Sequence, residues 1–290
     1  NLSNRANIEF REVDFSHPGT MTKALEDVEI IINCIALLGD YDHLSRSVHY
    51  EVDAGILENL INTANPKKLV QLIHVSTTGV YGGKKTADKL TEDAPFSNNA
   101  SKYEWGKIEA EKVVLKEREN QKLPITVARP AAIFGPRMTY GWPNLMNRLK
   151  SGTFRMIGKG DAKFHVTYID DVAEGICLLA GNDKAIGEAF NIVGDEVPTI
   201  NEYFSLIGEE LGGPSIKSVP YAPVLMAAHI LRFLPKIVKP GDLSLISPGR
   251  VRFFKENRIF DNSKLKNTVQ FQPKVTLKEG IKRAVKWYKE

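Results

Sequence analysis

Cysteine is scarce in this chain of 290 residues, which has only Cys34 and Cys177, both within apolar runs. Two such residues do not make a disulfide framework, so we expect buried free thiols, a reducing compartment and a cytoplasmic location. Long apolar stretches are absent too: no run approaches the roughly 20 residues that a membrane span requires. The net charge of +4 is too small to favour a nucleic-acid partner, and we expect none.

What the sequence does contain is a regular alternation of strands and helices. β-Branched and apolar runs predict strands at residues 8–13, 29–35, 69–75 and 124–129. Helical spacing predicts helices at residues 44–64 and 103–119. Strands that alternate with helices are typical of a parallel sheet covered on both faces. We therefore predict an α/β fold with a doubly wound parallel sheet.

The second half of the chain is less regular, but its helix boundaries are well marked. The sequence predicts helices at residues 172–180, 200–211 and 276–288, and a strand at 188–193. Thr199 is expected to cap the helix at 200–211, and the glycine pair that follows is expected to end it.

Candidate catalytic residues flank the third predicted strand. Tyr103 and Lys107 are four residues apart at the start of a predicted helix, so their side chains share one face. Thr77 follows the strand at 69–75 and precedes Tyr103 by 26 residues. Free tyrosine has a pKa of about 10 and is a poor base at neutral pH, but a nearby cation favours the phenolate. Thr77 could then align a substrate oxygen with the phenol, which predicts proton transfer at that oxygen.

The Tyr-x-x-x-Lys spacing alone is a weak signal. Tyr81 and Lys85 match it as well, in a glycine loop where the helical argument fails. A structural tyrosine beside a solvated lysine is therefore the competing interpretation of Tyr103 and Lys107 taken by themselves.

A set of motifs considered together is more specific. Val75-Ser-Thr-Thr-Gly-Val-Tyr-Gly82, Tyr103-x-x-x-Lys107-Ile-Glu-Ala-Glu111, Arg129-Pro130 and Gly135-Pro136 occur in that order. This arrangement resembles the extended short-chain dehydrogenase/reductases, and more narrowly the NAD-dependent epimerase/dehydratase group, over about residues 8–288. The resemblance implies a Rossmann-type NAD(P)-binding domain at 1–150 and a smaller α+β substrate domain at 151–290, with parts of 165–195 returning to the first domain.

The resemblance also implies a small-molecule substrate, NAD or NADP as cofactor, and roles for particular residues. The catalytic residues would be Thr77, Tyr103 and Lys107, with Tyr103 as acid/base and Lys107 on the nicotinamide ribose. The cofactor-binding residues would be Asp14, Phe15, Ile35, Ala36, Asp53, Tyr103, Lys107, Pro130 and Ile133. The substrate-binding residues would be Thr78, Tyr81, Ala132 and Arg137. No metal site is expected.

One feature of dinucleotide folds has no counterpart in the sequence. Neither G-x-G-x-x-G nor G-x-x-G-x-x-G occurs anywhere, although a glycine-rich turn normally receives the diphosphate at a helix N-terminus. The first predicted strand corresponds to the third of the resembling family. We therefore expect that the natural N-terminal unit is missing from this chain, and that the chain alone has little affinity for NAD(P).

Three functions remain open on the sequence. Ala132 stands where nucleotide-sugar epimerases commonly have Asn, and Phe164 stands near their usual arginine. Asp53, Ile56 and Leu57 replace the family's usual Asn, Gly and Thr. These departures favour the 3β-hydroxysteroid dehydrogenase and dihydroflavonol reductase branches. A nucleotide-sugar epimerase or dehydratase is the second hypothesis, and a non-catalytic binding or scaffold protein with the same fold is the third.

Residues 221–234 are apolar almost all round and too short to span a bilayer. From residue 217 to the end, 16 Lys and Arg stand against 5 Asp and Glu, a formal charge of +11. An apolar helix with basic flanks can lie in an anionic membrane surface, which predicts peripheral contact through 219–239. The competing interpretation is an ordinary helix of the substrate domain. The sequence also leaves open whether the protein forms a homodimer.

Overall fold

A computed structural model of the protein describes residues 7–15, 17–38, 44–120, 123–139, 141–231 and 247–290. The strands are β1 Ile30–Asn33, β2 Gln71–Val75, β3 Ile125–Pro130, β4 Ala132–Phe134, β5 Arg155–Ile157, β6 Val166–Tyr168, β7 Ala189–Ile192 and β8 Lys217–Val219. The α-helices are α1 Pro18–Leu25, α2 Arg46–Tyr50, α3 Ile56–Thr63, α4 Lys102–Asn120, α5 Trp142–Lys150, α6 Ile169–Leu179, α7 Ile200–Leu211, α8 Tyr221–Leu231, α9 Pro248–Phe253, α10 Ser263–Val269 and α11 Leu277–Lys289.

The main sheet has the order β1-β2-β3-β7, and all its neighbouring strands are parallel. Ile31 pairs with Leu72, and Leu72 in turn pairs with Ile125. Every residue of β3 is buried, because this strand has a neighbour on each side and helices above and below. The predicted α/β class with a parallel sheet is confirmed.

Helices cover both faces of this sheet, as a doubly wound fold requires. One core cluster joins α1, α3 and α4 to the face that carries Leu72 and Val127. The other joins α6 and α10 to the face that carries Ile73 and Phe190. Side chains alternate along a strand, so adjacent residues of β2 contribute to opposite layers.

The C-terminal half adds two short parallel sheets, β4-β6 and β5-β8, around a separate aromatic cluster. In this cluster Phe134 makes edge contacts with Tyr168 and Tyr203. α7 begins with a capping box between Thr199 and Glu202 and ends at Gly212, with a φ of 71°. The predicted cap and end of this helix are confirmed. The division at residue 150 stays a prediction.

Three local predictions differ from the structure. Residues 8–13 do not form a strand; Arg11 instead donates to the Ala24 carbonyl and to Asp27. An alternating segment forms a strand only beside a partner, and the contacts of Arg11 tie this one to α1. The predicted helix at 44–64 is divided by a π-helical turn, Glu51–Gly55.

The third difference concerns the cysteines. Cys34 and Cys177 are free, as expected, but both are exposed rather than buried. Cys34 follows β1, the outer strand of the sheet, and Cys177 lies on the uncovered side of α6. Within the described residues, no helix has the length and apolar character needed to cross a membrane.

Candidate active site

The carboxyl end of β2 carries the first candidate residue. Thr77 begins the 3₁₀ turn Thr78–Tyr81, and its hydroxyl accepts a hydrogen bond from the Gly79 amide at 3.1 Å. Gly82 ends the turn with a φ of 67°, and a β-carbon there would lie 2.7 Å from the Ser97 hydroxyl oxygen. Only glycine fits this position, so the sequence itself fixes a tight turn directly after Thr77.

The N-terminus of α4 packs against this turn. Ser101 and Glu104 cap the helix reciprocally: the Ser101 hydroxyl accepts from the Glu104 amide, and the Glu104 carboxylate accepts from the Ser101 amide. A β-carbon at Gly79 would lie 3.1 Å from the Glu104 side chain. Tyr103 is half-buried in the first turn of this helix. Thr77 and Tyr103 are therefore at the same edge of the sheet.

Lys107 lies one helical turn further on and is buried. Its ammonium donates to the carbonyls of Ile35 and Val75, both at 3.1 Å, and lies 3.4 Å from Asp53 Oδ1. The two carbonyls belong to the carboxyl ends of β1 and β2. The ammonium thus joins two strand ends to the π-helical turn, at the place where parallel sheets bind ligands.

Burial dominates the electrostatics of this group. It lowers the pKa of Lys107, against the opposing effect of the Asp53 carboxylate. Burial likewise raises the pKa of Asp53, against the effect of the Lys107 ammonium. His74 on β2 is completely buried, and burial together with the Lys107 charge holds its pKa well below the usual value. The imidazole of His74 is therefore neutral at physiological pH.

A second polar cluster lies behind the turn, around Arg129 at the end of β3. Its guanidinium donates from two nitrogens to the Glu111 carboxylate, and it also donates to the Tyr81 hydroxyl. The Ser76 hydroxyl donates to Glu111 as well. Tyr81 in turn donates to Asn191 Oδ1 at 2.9 Å. All five side chains are buried and hydrogen-bonded, which ties β2, α4, β3 and β7 together.

The structure separates the predicted substrate-binding residues into two environments. Tyr81 is 1% exposed and its hydroxyl is occupied within the protein, and Thr78 is also buried. Burial raises the pKa of Tyr81 despite the adjacent Arg129. Ala132 and Arg137 are exposed, and Arg137 has a φ of 67°, a conformation that side chains other than glycine rarely adopt.

The predicted cofactor-binding residues also differ in their surroundings. Ile35, Ala36 and Ile133 are half-buried near the strand ends, and Pro130 is buried as the last residue of β3. Asp53 is 1% exposed, which leaves it almost no surface for a direct cofactor contact.

The remaining pair lies before α1. Asp14 is exposed and forms an ion pair with His17, while Asn59 of α3 donates to the Phe15 carbonyl. Contact of these two residues with an adenine stays a prediction.

Sequence reasoning missed the Asn191 contact with Tyr81, since 110 residues separate the two. It also missed Arg258, whose backbone amide donates to the Lys163 carbonyl beside Phe164. Its guanidinium carbon lies 4.9 Å from the centroid of the Phe253 ring. No local motif marks either residue, because each contact depends on how distant strands and loops pack. Within the described residues, no cluster of potential metal ligands is found.

The chain is similar to a known protein family and to several characterised proteins. The sequence model of the NAD dependent epimerase/dehydratase family matches residues 1–193. The chain is 27% identical to the 3beta-hydroxysteroid-dehydrogenase/decarboxylase isoform 2 of Arabidopsis thaliana, over 96% of this chain and 51% of that protein. It thus spans about half the length of this relative.

Two further similarities are to proteins named as 4-epimerases. An Escherichia coli O157:H7 protein, N-acetyl-alpha-D-glucosaminyl-diphospho-ditrans,octacis-undecaprenol 4-epimerase, is 27% identical over 83% of this chain and 72% of its own length. The crystal structure of UDP-glucuronic acid 4-epimerase from Bacillus cereus in complex with NAD superposes with a TM-score of 0.76 at 21% identity, covering 99% of this chain and 83% of that one.

Proposed function

The chain belongs to the NAD-dependent epimerase/dehydratase family, and from this premise we propose that it carries the acid–base centre of an NAD(P)-dependent oxidoreductase. One observation carries the proposal. Thr77 at the end of β2 and the Tyr103 helix meet at one edge of the sheet, and Lys107 lies between two strand ends of that edge. A hydroxyl, a phenol and an ammonium in this order form a path for a proton to or from a substrate oxygen.

Each residue has a separate task in this scheme. Tyr103 exchanges the proton with the substrate hydroxyl or carbonyl oxygen, and Thr77 donates a hydrogen bond that holds this oxygen in line. The positive charge of Lys107 favours the phenolate form of Tyr103. We assign Tyr81 to positioning of the 3₁₀ turn, because its hydroxyl is already shared between Arg129 and Asn191.

The side chains at the carboxyl ends of the parallel strands are chemically suited to bind a dinucleotide. Thr77 and Tyr103, both half-buried, lie at the carboxyl end of a parallel sheet, where ribose and substrate oxygens find partners in such folds. NAD(P), when bound, accepts or supplies the hydride. The residues that would hold it are Asp14, Phe15, Ile35, Ala36, Pro130 and Ile133, whereas the Lys107 ammonium is buried and bonded to the Ile35 and Val75 carbonyls.

For the substrate we propose a lipophilic alcohol or ketone of the 3β-hydroxysteroid type. The name of the Arabidopsis relative denotes this class, and it matches almost the whole of this chain. Ala132 offers no amide to a diphosphate, and Phe164 is buried against Tyr203 and Phe253. A nucleotide-sugar epimerase is the second candidate, favoured by the position of Arg258 next to Lys163.

Substitution of Tyr103 tests the proposed function. Tyr103→Phe should lower kcat by about 10²- to 10⁴-fold, because the proton donor and acceptor is lost. NAD(H) binding, measured by calorimetry, should remain nearly unchanged. Tyr288→Phe is the matched control, since its hydroxyl contacts Asn147 at the surface. Retention of more than half of the activity in Tyr103→Phe would refute the assignment.

The substrate class is tested by assaying the same enzyme with a 3β-hydroxysteroid and with a UDP-sugar. NADH formation with the steroid and none with the sugar is the expected result. Interconversion of UDP-sugars, with no steroid oxidation, would establish the second candidate instead.

We further propose that α8 contacts a membrane surface. This helix is apolar along its length, yet only Ala228 is buried, while Met226 is 62% and Ile230 53% exposed. Basic side chains flank it: Lys217 precedes it, and Lys255 lies 5.0 Å from the ring of Tyr221. An apolar face with cations at its border suits the interface of an anionic bilayer, from which a lipophilic substrate could be drawn.

Flotation with liposomes tests this contact. Binding to anionic vesicles should be salt-sensitive and should be lost in Met226→Glu and Ile230→Glu. Val70→Glu is the matched control, because Val70 is 44% exposed elsewhere on the surface. No flotation at low salt would leave α8 as an ordinary helix beside the substrate. A homodimer stays a prediction, which light scattering of the same protein checks.

A further inference from the structure

The carboxylate of Asp53 is in an unusual position for a buried acid. It is 1% exposed, and in the described part of the chain neither of its oxygens makes a hydrogen bond. Its nearest charged partner is the Lys107 ammonium, 3.4 Å from Oδ1. A buried carboxylate is costly unless it is paired, so this position requires an explanation.

Local structure holds Asp53 in this position from two sides. The π-helical turn Glu51–Gly55 inserts an irregular turn between α2 and α3, and such turns are frequent at functional sites. On α4, Gly106 leaves the necessary space, because a β-carbon there would lie 2.6 Å from Asp53 Oδ2. The approach of the carboxylate to the helix therefore depends on a glycine directly before Lys107.

We propose that Asp53 is a positioning residue for Lys107. An ammonium has three N–H donors: two are used by the Ile35 and Val75 carbonyls, and Asp53 Oδ1 lies 3.4 Å from the nitrogen as its charged partner. Asp53 thereby holds the ammonium from behind, keeps it charged despite its burial, and aligns it between the ends of β1 and β2. The consequence for Tyr103 rests on the proposed function; the pairing itself does not.

The other titratable groups around Lys107 do not supply this negative charge. Although Cys34 is exposed, partial desolvation of its thiol by the surrounding protein raises its pKa, and His74 is neutral. Glu111 is held by Arg129 in the second cluster. His49 of α2 is buried nearby, but a histidine adds no negative charge. Among the described residues, Asp53 is therefore the acid that pairs with the Lys107 ammonium.

A double-mutant cycle tests the pairing through the equilibrium constant of unfolding. Asp53→Asn and Lys107→Met should each raise this constant, because each leaves one buried charge without its partner. The double variant should be more stable than Asp53→Asn, since no charge is then buried. The coupling between the two sites should reach about tenfold or more in the unfolding constant. If Asp53→Asn does not fold while the double variant does, the pairing is equally supported.

The pH dependence distinguishes an ion pair from packing. In Lys107→Met, Asp53 loses the cation that lowers its pKa, so the folded protein binds more protons than the unfolded one above about pH 4, and stability should fall as the pH rises. In Asp53→Asn the pKa of Lys107 falls further. The unfolded protein then binds more protons below about pH 10, and stability should rise with pH. The double variant should show neither slope.

Two more variants complete the test. Glu51→Gln removes a carboxylate from the same turn, but Glu51 is exposed, so it should leave stability and its pH dependence nearly unchanged. Gly106→Ala should also raise the unfolding constant, because the added methyl displaces the carboxylate from the ammonium. Additive effects of Asp53→Asn and Lys107→Met, with equal pH slopes in all variants, would overturn the proposal.

Coupling in this cycle together with a fully active Tyr103→Phe would refute the proposed function and leave the pairing intact.

Discussion

Two buried ion pairs lie one turn apart on α4, and they differ in how completely they are satisfied. Glu111 receives two guanidinium nitrogens of Arg129 and the Ser76 hydroxyl. The Lys107 ammonium lies 3.4 Å from Asp53 Oδ1. Neither oxygen of the Asp53 carboxylate makes a hydrogen bond within the described residues. The first pair is a closed network between elements of the core, and the second faces the carboxyl edge of the sheet.

We interpret this difference as that between a structural role for the Arg129 pair and the proposed functional role of the Lys107 pair. A buried pair stabilises a fold only when its remaining donors and acceptors are also satisfied, as they are around Arg129. In the Lys107 pair the ammonium is bonded to two carbonyls, but the Asp53 oxygens lack this compensation. Under-satisfied buried charges tend to persist at functional sites, where a perturbed pKa is of use. Three substitutions around the saturated pair sharpen this contrast.

The largest effect is expected from Arg129→Met. It leaves the Glu111 carboxylate buried without a cation, so the free energy of unfolding should fall by about 3–5 kcal/mol. Urea denaturation followed by circular dichroism measures the loss. Arg118→Met is the control: its pair with Glu188 is exposed, and the cost should be less than about 1 kcal/mol. Similar losses in both variants would remove the contrast between the buried and exposed pairs.

A smaller effect is expected from Tyr81→Phe. Loss of the hydroxyl leaves Arg129 and the Asn191 amide oxygen each short of one partner, at a cost of about 1–3 kcal/mol in unfolding free energy. Because Tyr81 is buried, kcat of the folded enzyme should stay close to that of the wild type. A kinetic loss comparable to that of Tyr103→Phe, with stability unchanged, would place Tyr81 at the substrate instead.

The smallest effect is expected from Ser76→Ala. Glu111 keeps its guanidinium contacts, so the lost hydroxyl should cost about 1 kcal/mol or less. Combined with Arg129→Met, the two changes should not be additive, since both act on one carboxylate. Additive losses in denaturation experiments would show that Ser76 and Arg129 stabilise the protein independently.

Several elements could be predicted because their signals are local. The spacing of Tyr103 and Lys107 on one helix, the cap at Thr199 and the turn at Gly82 each depend on residues within a few positions. The apolar runs of the strands likewise follow from burial on both faces of a parallel sheet. The segment at 8–13 was predicted wrongly, because its alternation is a strand signal that requires a partner strand. The exposure of Cys34 and Cys177 was missed for a related reason: burial depends on which neighbours cover a strand edge or a helix side.

By itself, the sequence determined the α/β alternation, the helix carrying Tyr103 and Lys107, and the motifs by which the family is recognised. Only the tertiary structure decided that Lys107 lies between the carbonyls of Ile35 and Val75, with Asp53 behind it. It alone also brought Tyr81 to Asn191. The physical reason is the range of the forces involved. Helix spacing, caps and turns are set by backbone geometry over a few residues, whereas a buried charge takes whichever partner the packing of distant strands places within reach.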